Sequence, residues 1–324
     1  MDQTETICNQ IDAAIKSLTD LKNLITAKSI NIVESPKVAE SIVNAQSVVE
    51  AIAEPAVEPI NDFESLKKAL YSDKWPHAVN PSLICDSESE SDKKERGVGI
   101  LELVIEEPVK GKKFLDFGCG EGHCAAEAVG ILDCAISVGY DVKEHANWTS
   151  TDKTKFSTSY DEVKKMGPYD AILVFDVIDH VFGESPESMM KKLSELLAPD
   201  GRIYMRCHPW MSRHGTHLYH KLNKAYAHLV FTDYELSQLS NHVPEVNIKV
   251  THPLATYSKF FKESELKVLS DRKITEKVDP FFKVPKIAER IMKNTKKACK
   301  KFPEFKDFPE FQMGIQFVDY VLTK

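Results

Sequence analysis

The 324-residue chain has no apolar run long enough to cross a bilayer, and no signal-peptide pattern opens it. It also lacks an excess of positive charge. With 42 Lys and Arg against 49 Asp and Glu, the formal net charge is −7, so overall charge carries no footprint for nucleic acid. The cysteines (Cys8, Cys85, Cys119, Cys124, Cys134, Cys207 and Cys299) are odd in number and have no paired short spacing. Reduced thiols in a cytosolic compartment are the plain reading. The expectation is a soluble cytoplasmic protein without a membrane segment, long enough for one large domain or two modest ones.

What the chain does have is the run Phe114-Leu115-Asp116-Phe117-Gly118-Cys119-Gly120-Glu121-Gly122-His123. Apolar residues lead into an acid, three glycines alternate, and Ala125, Ala126 and Ala128 begin a helical pattern. That predicts a buried parallel strand, a tight loop and a helix N-terminus. A residue without Cβ can take the backbone angles of such a turn and let a ligand lie against it. The free N–H groups of the following helix then face that ligand. The loop is a seat for a nucleoside-bearing cofactor.

A second apolar run, Cys134 to Tyr140, ends at Asp141, where a carboxylate can accept hydrogen bonds from both ribose hydroxyls. A third, Tyr169 to Phe175, runs into Asp176-Val177-Ile178-Asp179-His180. Helical periodicity resumes from Met189 to Leu197, and Ala198-Pro199-Asp200-Gly201 predicts a turn into the strand Arg202 to Cys207. These units describe an open α/β sheet that binds at its C-terminal edge. A dinucleotide fingerprint would need glycine or alanine one place after Gly122, and His123 stands there.

With these pieces in order, the sequence resembles the class I S-adenosylmethionine-dependent methyltransferases, closely over Gly111 to Cys207. The resemblance implies an α/β fold: a Rossmann-like, seven-stranded, mostly parallel sheet with helices on both faces. It implies S-adenosyl-L-methionine as cofactor, its methionine part cradled by Asp116, Gly118, Cys119, Gly120 and Gly122, its ribose on Asp141. Further cofactor contacts are expected from Val142, Ser157, Thr158, Phe175, Asp176 and Val177. Enzymes of this kind that methylate base amines carry an Asn/Asp-Pro-Pro-aromatic turn, and Asp176-Val177-Ile178-Asp179 replaces it here. No nucleophilic cysteine stands in the loop that cytosine C5 enzymes use. O- or N-methylation of a small molecule is therefore the leading expectation. An RNA-directed methyltransferase and a non-catalytic binding or assembly protein are the alternatives.

The segment Cys207 to His220 concentrates histidine. His208 follows the fifth strand directly and should project at the sheet edge. His180, His208 and His214, in that order, are candidates for a general base. Asp179, Trp210, Arg213 and His217 are candidates for substrate contact, and Arg213 would suit an anionic substrate. The competing reading is a set of residues that shape a loop and hydrogen-bond one another. His214, His217 and His220 would share one face of a helix as metal ligands. Gly215 argues against that helix and no carboxylate or thiol sits among them, so no metal is expected.

Residues 1–28 predict an amphipathic heptad helix with the seam Ile7, Ile11, Ala14, Leu18, Leu21 and Ile25. It would serve self-association or protein docking through residues 7–25, or else pack on its own domain. Residues 29–61 read as a flexible linker, and residues 62–324 as the methyltransferase domain, with substrate-side insertions at 208–250 and 280–310. A short helix around Phe63 to Tyr71 breaks at Trp75-Pro76-His77. Asp86 to Asp92 predicts a solvated acidic loop, and Glu95 to Glu106 a helix. Lys93, Lys94 and Arg96 are either partners of a cofactor carboxylate or ordinary surface charges, and Trp75 is a candidate lid residue. Further on, Leu266 to Leu269 and Arg272 to Val278 predict strands, and Met313 to Leu322 a last antiparallel strand. Pro285 to Lys301 predicts an amphipathic basic helix, set either to contact phosphates or to present a solvated face.

Overall fold

Phe114 and Leu115 are neighbours in sequence and are buried on opposite faces of one sheet. That alternation decides the architecture, because a sheet apolar on both faces must be covered on both. A computed structural model describes residues 63–81, 89–181, 185–215, 218–239, 251–299 and 307–324. The expected helix at 1–28 and linker at 29–61 lie outside these residues.

The described helices are α1 (Phe63–Leu70), α2 (Glu90–Val104), α3 (His123–Leu132), α4 (Tyr160–Met166), α5 (Pro186–Leu196), α6 (Ala227–Val230), α7 (Asp233–Leu239), α8 (Leu254–Glu263), α9 (Pro285–Ala298) and α10 (Glu310–Gly314). The strands are β1 (Lys113–Phe117), β2 (Ile136–Tyr140), β3 (Thr154–Ser157), β4 (Tyr169–Phe175), β5 (Leu197–Cys207), β6 (Lys267–Thr275) and β7 (Ile315–Thr323). They form one seven-stranded sheet in the order β3-β2-β1-β4-β5-β7-β6. Strands β1 to β5 run parallel, and β7 inserts antiparallel between β5 and β6.

On one face Leu115, Val138, Ile172, Val174, Ile203 and Met205 meet Val163 of α4, Met190 and Leu193 of α5, and Tyr257 and Phe261 of α8. On the other, Phe114, Leu173, Tyr204 and Val321 meet Leu101 and Val104 of α2 and Ala128 of α3. Each fully buried large apolar side chain contributes about 1.5–3 kcal/mol. The Rossmann-like sheet with helices on both faces, expected from the sequence, is the fold of the molecule.

Several local expectations are corrected. The acidic run is not all loop: Ser89 caps α2, accepting from the Asp92 backbone while Asp92 accepts from the Ser89 backbone, so the helix starts at Glu90. The Ala198-Pro199-Asp200-Gly201 turn is absorbed into β5, where the pairing with β4 shifts between Tyr169 and Ala171. The two expected C-terminal strands are one, β6, an almost wholly exposed edge strand that carries Lys267, Asp271, Arg272 and Lys273. Strand β3 has no apolar run to announce it, and pairs with β2 all the same.

Trp75 is no lid. It is fully buried, stacks on Phe231, packs edge-on against Phe281 and Phe282, and donates from Nε1 to the Ala225 carbonyl. Helix α9 buries Ile287, Ile291 and Thr295, and Asn294 ties it to the Leu229 and Val230 carbonyls of α6. Its Lys293, Lys296 and Lys297 are exposed. Among the described residues no helix is long and apolar enough to cross a membrane.

Candidate active site

Four parallel strands end on the same edge of the sheet, at Phe117, Tyr140, Phe175 and Cys207, and the next residues of each carry the candidate chemistry. The glycine loop after β1 is anchored to β2: the Gly118 and Cys119 amides both donate to the Tyr140 carbonyl, at 2.7 and 2.9 Å. Gly118 has φ +79°, and a β-carbon on it would stand 2.5 Å from Val177 Cγ2. Only glycine lets the loop lie this close to the turn after β4. Gly120 has φ +50° and its missing side chain would meet nothing within 4 Å, so the crest of the loop faces open space.

Asp141 closes the other side of that space. Its carboxylate accepts from the Gly120 amide at 2.9 Å and from the Lys143 amide at 3.1 Å. Beside it Val142 is 84% exposed, an apolar side chain that a nucleobase could cover. Trp148 donates from Nε1 to the Gly120 carbonyl at 2.9 Å and stacks on Phe156, ring centroids 5.2 Å apart. Neither aromatic was singled out from the sequence, although Trp148 is a lone large apolar residue in a polar stretch after Asp141. An open glycine crest, a carboxylate and uncovered apolar surface fit the cofactor's methionine, ribose and base.

Other expected cofactor residues have defined places. Asp116 is buried, and burial, aided by the nearby charge of Asp141, pushes its pKa up to about 7 against a backbone hydrogen bond at Ala125. Cys119 is half-buried, its thiol pushed far up by burial first and then by Asp116 and Asp141. Ser157 is committed to α4: it donates to Glu162 at 2.6 Å and accepts from the Ser159 amide. Thr158 is exposed beside it. Lys93 pairs with Glu121 at 2.8 Å and Lys94 with Glu127 at 3.2 Å.

The turn after β4 brings the acids to the histidine. Asp176 takes φ +55°, a left-handed conformation that Asp tolerates better than most residues, with its amide on the Arg206 carbonyl. Val177 faces Gly118, and Ile178–His180 forms one tight helical turn that buries Asp179 and leaves His180 exposed. His208, just past β5, is buried with Nε2 at 3.5 Å from Asp176 Oδ1 and 3.9 Å from Asp179 Oδ2. Burial alone would push its pKa down; the two carboxylates outweigh that, and it is raised.

The other histidine-segment residues divide. His214 packs its ring 4.7 Å from that of His208, and Phe317 of β7 lies 4.6 Å from His208 and 5.6 Å from His214. Tyr219 stands edge-on to His214 at 5.9 Å; burial and the fields of Asp176 and Asp179 raise its phenol. Trp210 is buried elsewhere, its carbonyl accepting from His228 Nε2 at 2.7 Å, and burial lowers His228 to about 4. Arg213 donates to the His77 carbonyl and pairs with Glu276, lining a separate cavity of about 230 Å³ with Lys277, Tyr226 and Phe282. It therefore does not stand with His208, where an anionic substrate was expected to meet it. His217 lies outside the described residues. No carboxylate neighbours these histidines in sequence, yet the fold puts Asp176, Asp179 and His208 within 4.8 Å of one another.

A Rossmann-like sheet of this strand order, with a glycine loop and an acid at the ends of its first two strands, is the architecture of a nucleoside-cofactor-binding domain. A family model described as a methyltransferase domain matches residues 96–269, more than half of the chain. The chain belongs to this family of class I methyltransferases, whose cofactor is S-adenosylmethionine. No curated protein matches the chain. Among solved structures it is similar to a SAM-dependent methyltransferase from Archaeoglobus fulgidus, at 14% identity over 71% of this chain and 94% of that one, TM-score 0.43. It is similar also to coclaurine N-methyltransferase bound to N-methylheliamine and SAH, at 12% identity over 97% and 95%, TM-score 0.42. A third is the cyclopropane synthase MmaA2 from Mycobacterium tuberculosis, at 14% over 84% and 100%, TM-score 0.41.

Proposed function

We propose that the protein transfers a methyl group from S-adenosylmethionine to a nitrogen or oxygen of a small-molecule acceptor, with His208 taking the acceptor's proton. The observation that carries this reading is His208 itself: a buried imidazole facing two carboxylates, next to the turn whose Val177 touches the glycine loop.

When bound, the cofactor supplies an already activated methyl on a sulfonium, so the protein's task is to align, to exclude water and to move one proton. Gly120, Asp141 and Val142 would hold the cofactor from the loop side. Asp116 would face its cationic ammonium, where a positive neighbour favours the charged carboxylate. Asp176 and Asp179 face the Nε2 that would take the proton, and their charge would stabilise the imidazolium once it forms. His214, Tyr219 and Phe317 wall the acceptor side. His180, exposed on the turn, is a weaker candidate for the base than the sequence order made it.

The test is S-adenosylhomocysteine formation by the full chain against small-molecule, RNA and protein acceptors, with cofactor binding read by calorimetry. His208→Gln should lower turnover about 10²-fold or more and leave cofactor affinity nearly intact. Absence of cofactor binding by the unaltered chain would turn the assignment toward a scaffold, and transfer confined to RNA would remove the small-molecule reading.

A further inference from the structure

Charge around His208 discriminates among acceptors. Asp176 and Asp179 both face its Nε2, and the fields of both reach the Tyr219 phenol. Arg206, whose charge reaches His208, is held bidentately by Asp319 at 2.6 and 2.8 Å, between the rings of Phe175 and Phe317. Arg213, the other guanidinium expected here, is tied to Glu276 and the His77 carbonyl. Two carboxylates against one imidazole leave an excess of negative charge. A carboxylate, phosphate or phenolate acceptor would be repelled there.

Two further features fit a donor of positive charge. Asp176 Oδ1 is buried and, among the described residues, has no hydrogen-bond partner; His208 Nε2 at 3.5 Å is too far for a strong bond. A buried carboxylate oxygen accepts only, so the group that satisfies it must bring N–H or O–H. The ring of Tyr219 stands beside His214, and an aromatic face attracts cations.

We propose that the acceptor is an amine that is cationic in solution, bound by Asp176 and Asp179 and methylated on nitrogen. This rests on the methyl-transfer reading and narrows it to a substrate class. The charges require such a site: an ammonium beside a sulfonium places two cations in contact, and the two carboxylates offset their repulsion. The ammonium passes one proton to neutral His208 Nε2. The freed lone pair forms the N–C bond to the methyl carbon as the C–S bond breaks, and that electron pair stays on sulfur. The products are an N-methylammonium, a neutral thioether and a protonated His208, which returns its proton to water.

Two measurements test this on the full chain. The first is methyl transfer, followed by mass spectrometry, to a panel of arylalkylamines with their alcohol and carboxylate counterparts. Product from amines alone is expected. Product from an alcohol or carboxylate, no product from any amine while S-adenosylhomocysteine binds, or turnover that needs added divalent metal and vanishes with EDTA overturns the proposal. The second is binding of the best amine to protein loaded with S-adenosylhomocysteine. Asp179→Asn and the less buried Asp176→Asn should each weaken it about tenfold or more. Unchanged amine affinity in both variants also overturns it. Failure of S-adenosylhomocysteine to bind the unaltered chain strikes the methyl-transfer reading itself, and so separates the two.

Discussion

A β-carbon on Gly118 would stand 2.5 Å from Val177 Cγ2, so the cofactor loop after β1 and the acid-bearing turn after β4 are in direct contact. Any side chain at 118 must displace Val177, and with it the neighbouring Asp176 and Asp179, and must also adopt a left-handed backbone. That conformation costs an L-residue about 1–2 kcal/mol. Gly118→Ala should lower the melting temperature and weaken S-adenosylmethionine binding about tenfold or more, read by calorimetric titration.

Stability should depend on pH through His208. Burial and the charge of Arg206 push its folded pKa down, Asp176 and Asp179 push it up, and the net is a rise above the ordinary 6.5. A raised histidine contributes stability that is fully present below the ordinary value and lost as pH climbs through the folded one. His208→Gln should flatten that part of the curve in urea denaturation. Turnover should run the other way, still rising above pH 6.5 as the imidazole is freed to accept a proton.

Asp116 predicts a second decline of the same sign at lower pH. Its folded pKa of about 7 lies above the ordinary 3.8, so the folded protein holds that proton more tightly than the unfolded chain. Cofactor-free protein should therefore lose stability as pH rises from 4 to 7, by about 4 kcal/mol at most. Asp116→Asn should abolish this decline, and a decline of unchanged size in that variant would count against the assignment.

Asp319 accepts from both Arg206 and Arg272, and Arg206 is sandwiched by two rings beneath the site. Removing the carboxylate leaves a buried guanidinium unpaired. Asp319→Ala should cost about 3–5 kcal/mol in chemical denaturation, whereas Arg272→Ala, whose side chain is 44% exposed, should cost far less.

Of the three tryptophans, Trp75 and Trp210 are buried away from the glycine loop, and Trp148 hydrogen-bonds to the Gly120 carbonyl. Cofactor binding should change tryptophan fluorescence through Trp148. The change should disappear in Trp148→Phe while calorimetry still detects binding.

Much of the parallel half of the sheet, with its glycine loop, could be read from the chain. The run from Phe114 to His123, the acid at Asp141 and the strand ending at Asp176 are local signals, because a parallel strand buried on both faces must be apolar and its loop must be glycine. Strand β3 and Trp148 escape such a reading for the converse reason: four residues without an apolar run are held by tertiary contacts, the pairing with β2 and the stacking of Phe156 on Trp148. Trp210 and Arg213 misled, since type and position along the chain do not show which way a side chain turns once a segment folds back on itself.

Residue order by itself determined the layered α/β architecture and a nucleoside seat on one edge, through alternation of apolar side chains and the steric freedom of glycine. It could not determine that Asp176, Asp179 and His208, more than twenty-five residues apart at their ends, would share one buried corner. That meeting depends on β4 and β5 lying side by side and ending level, and on β7 bringing Phe317 up against the imidazole. Electrostatics at such a corner is a property of distance in space, and only the packed strands set that distance.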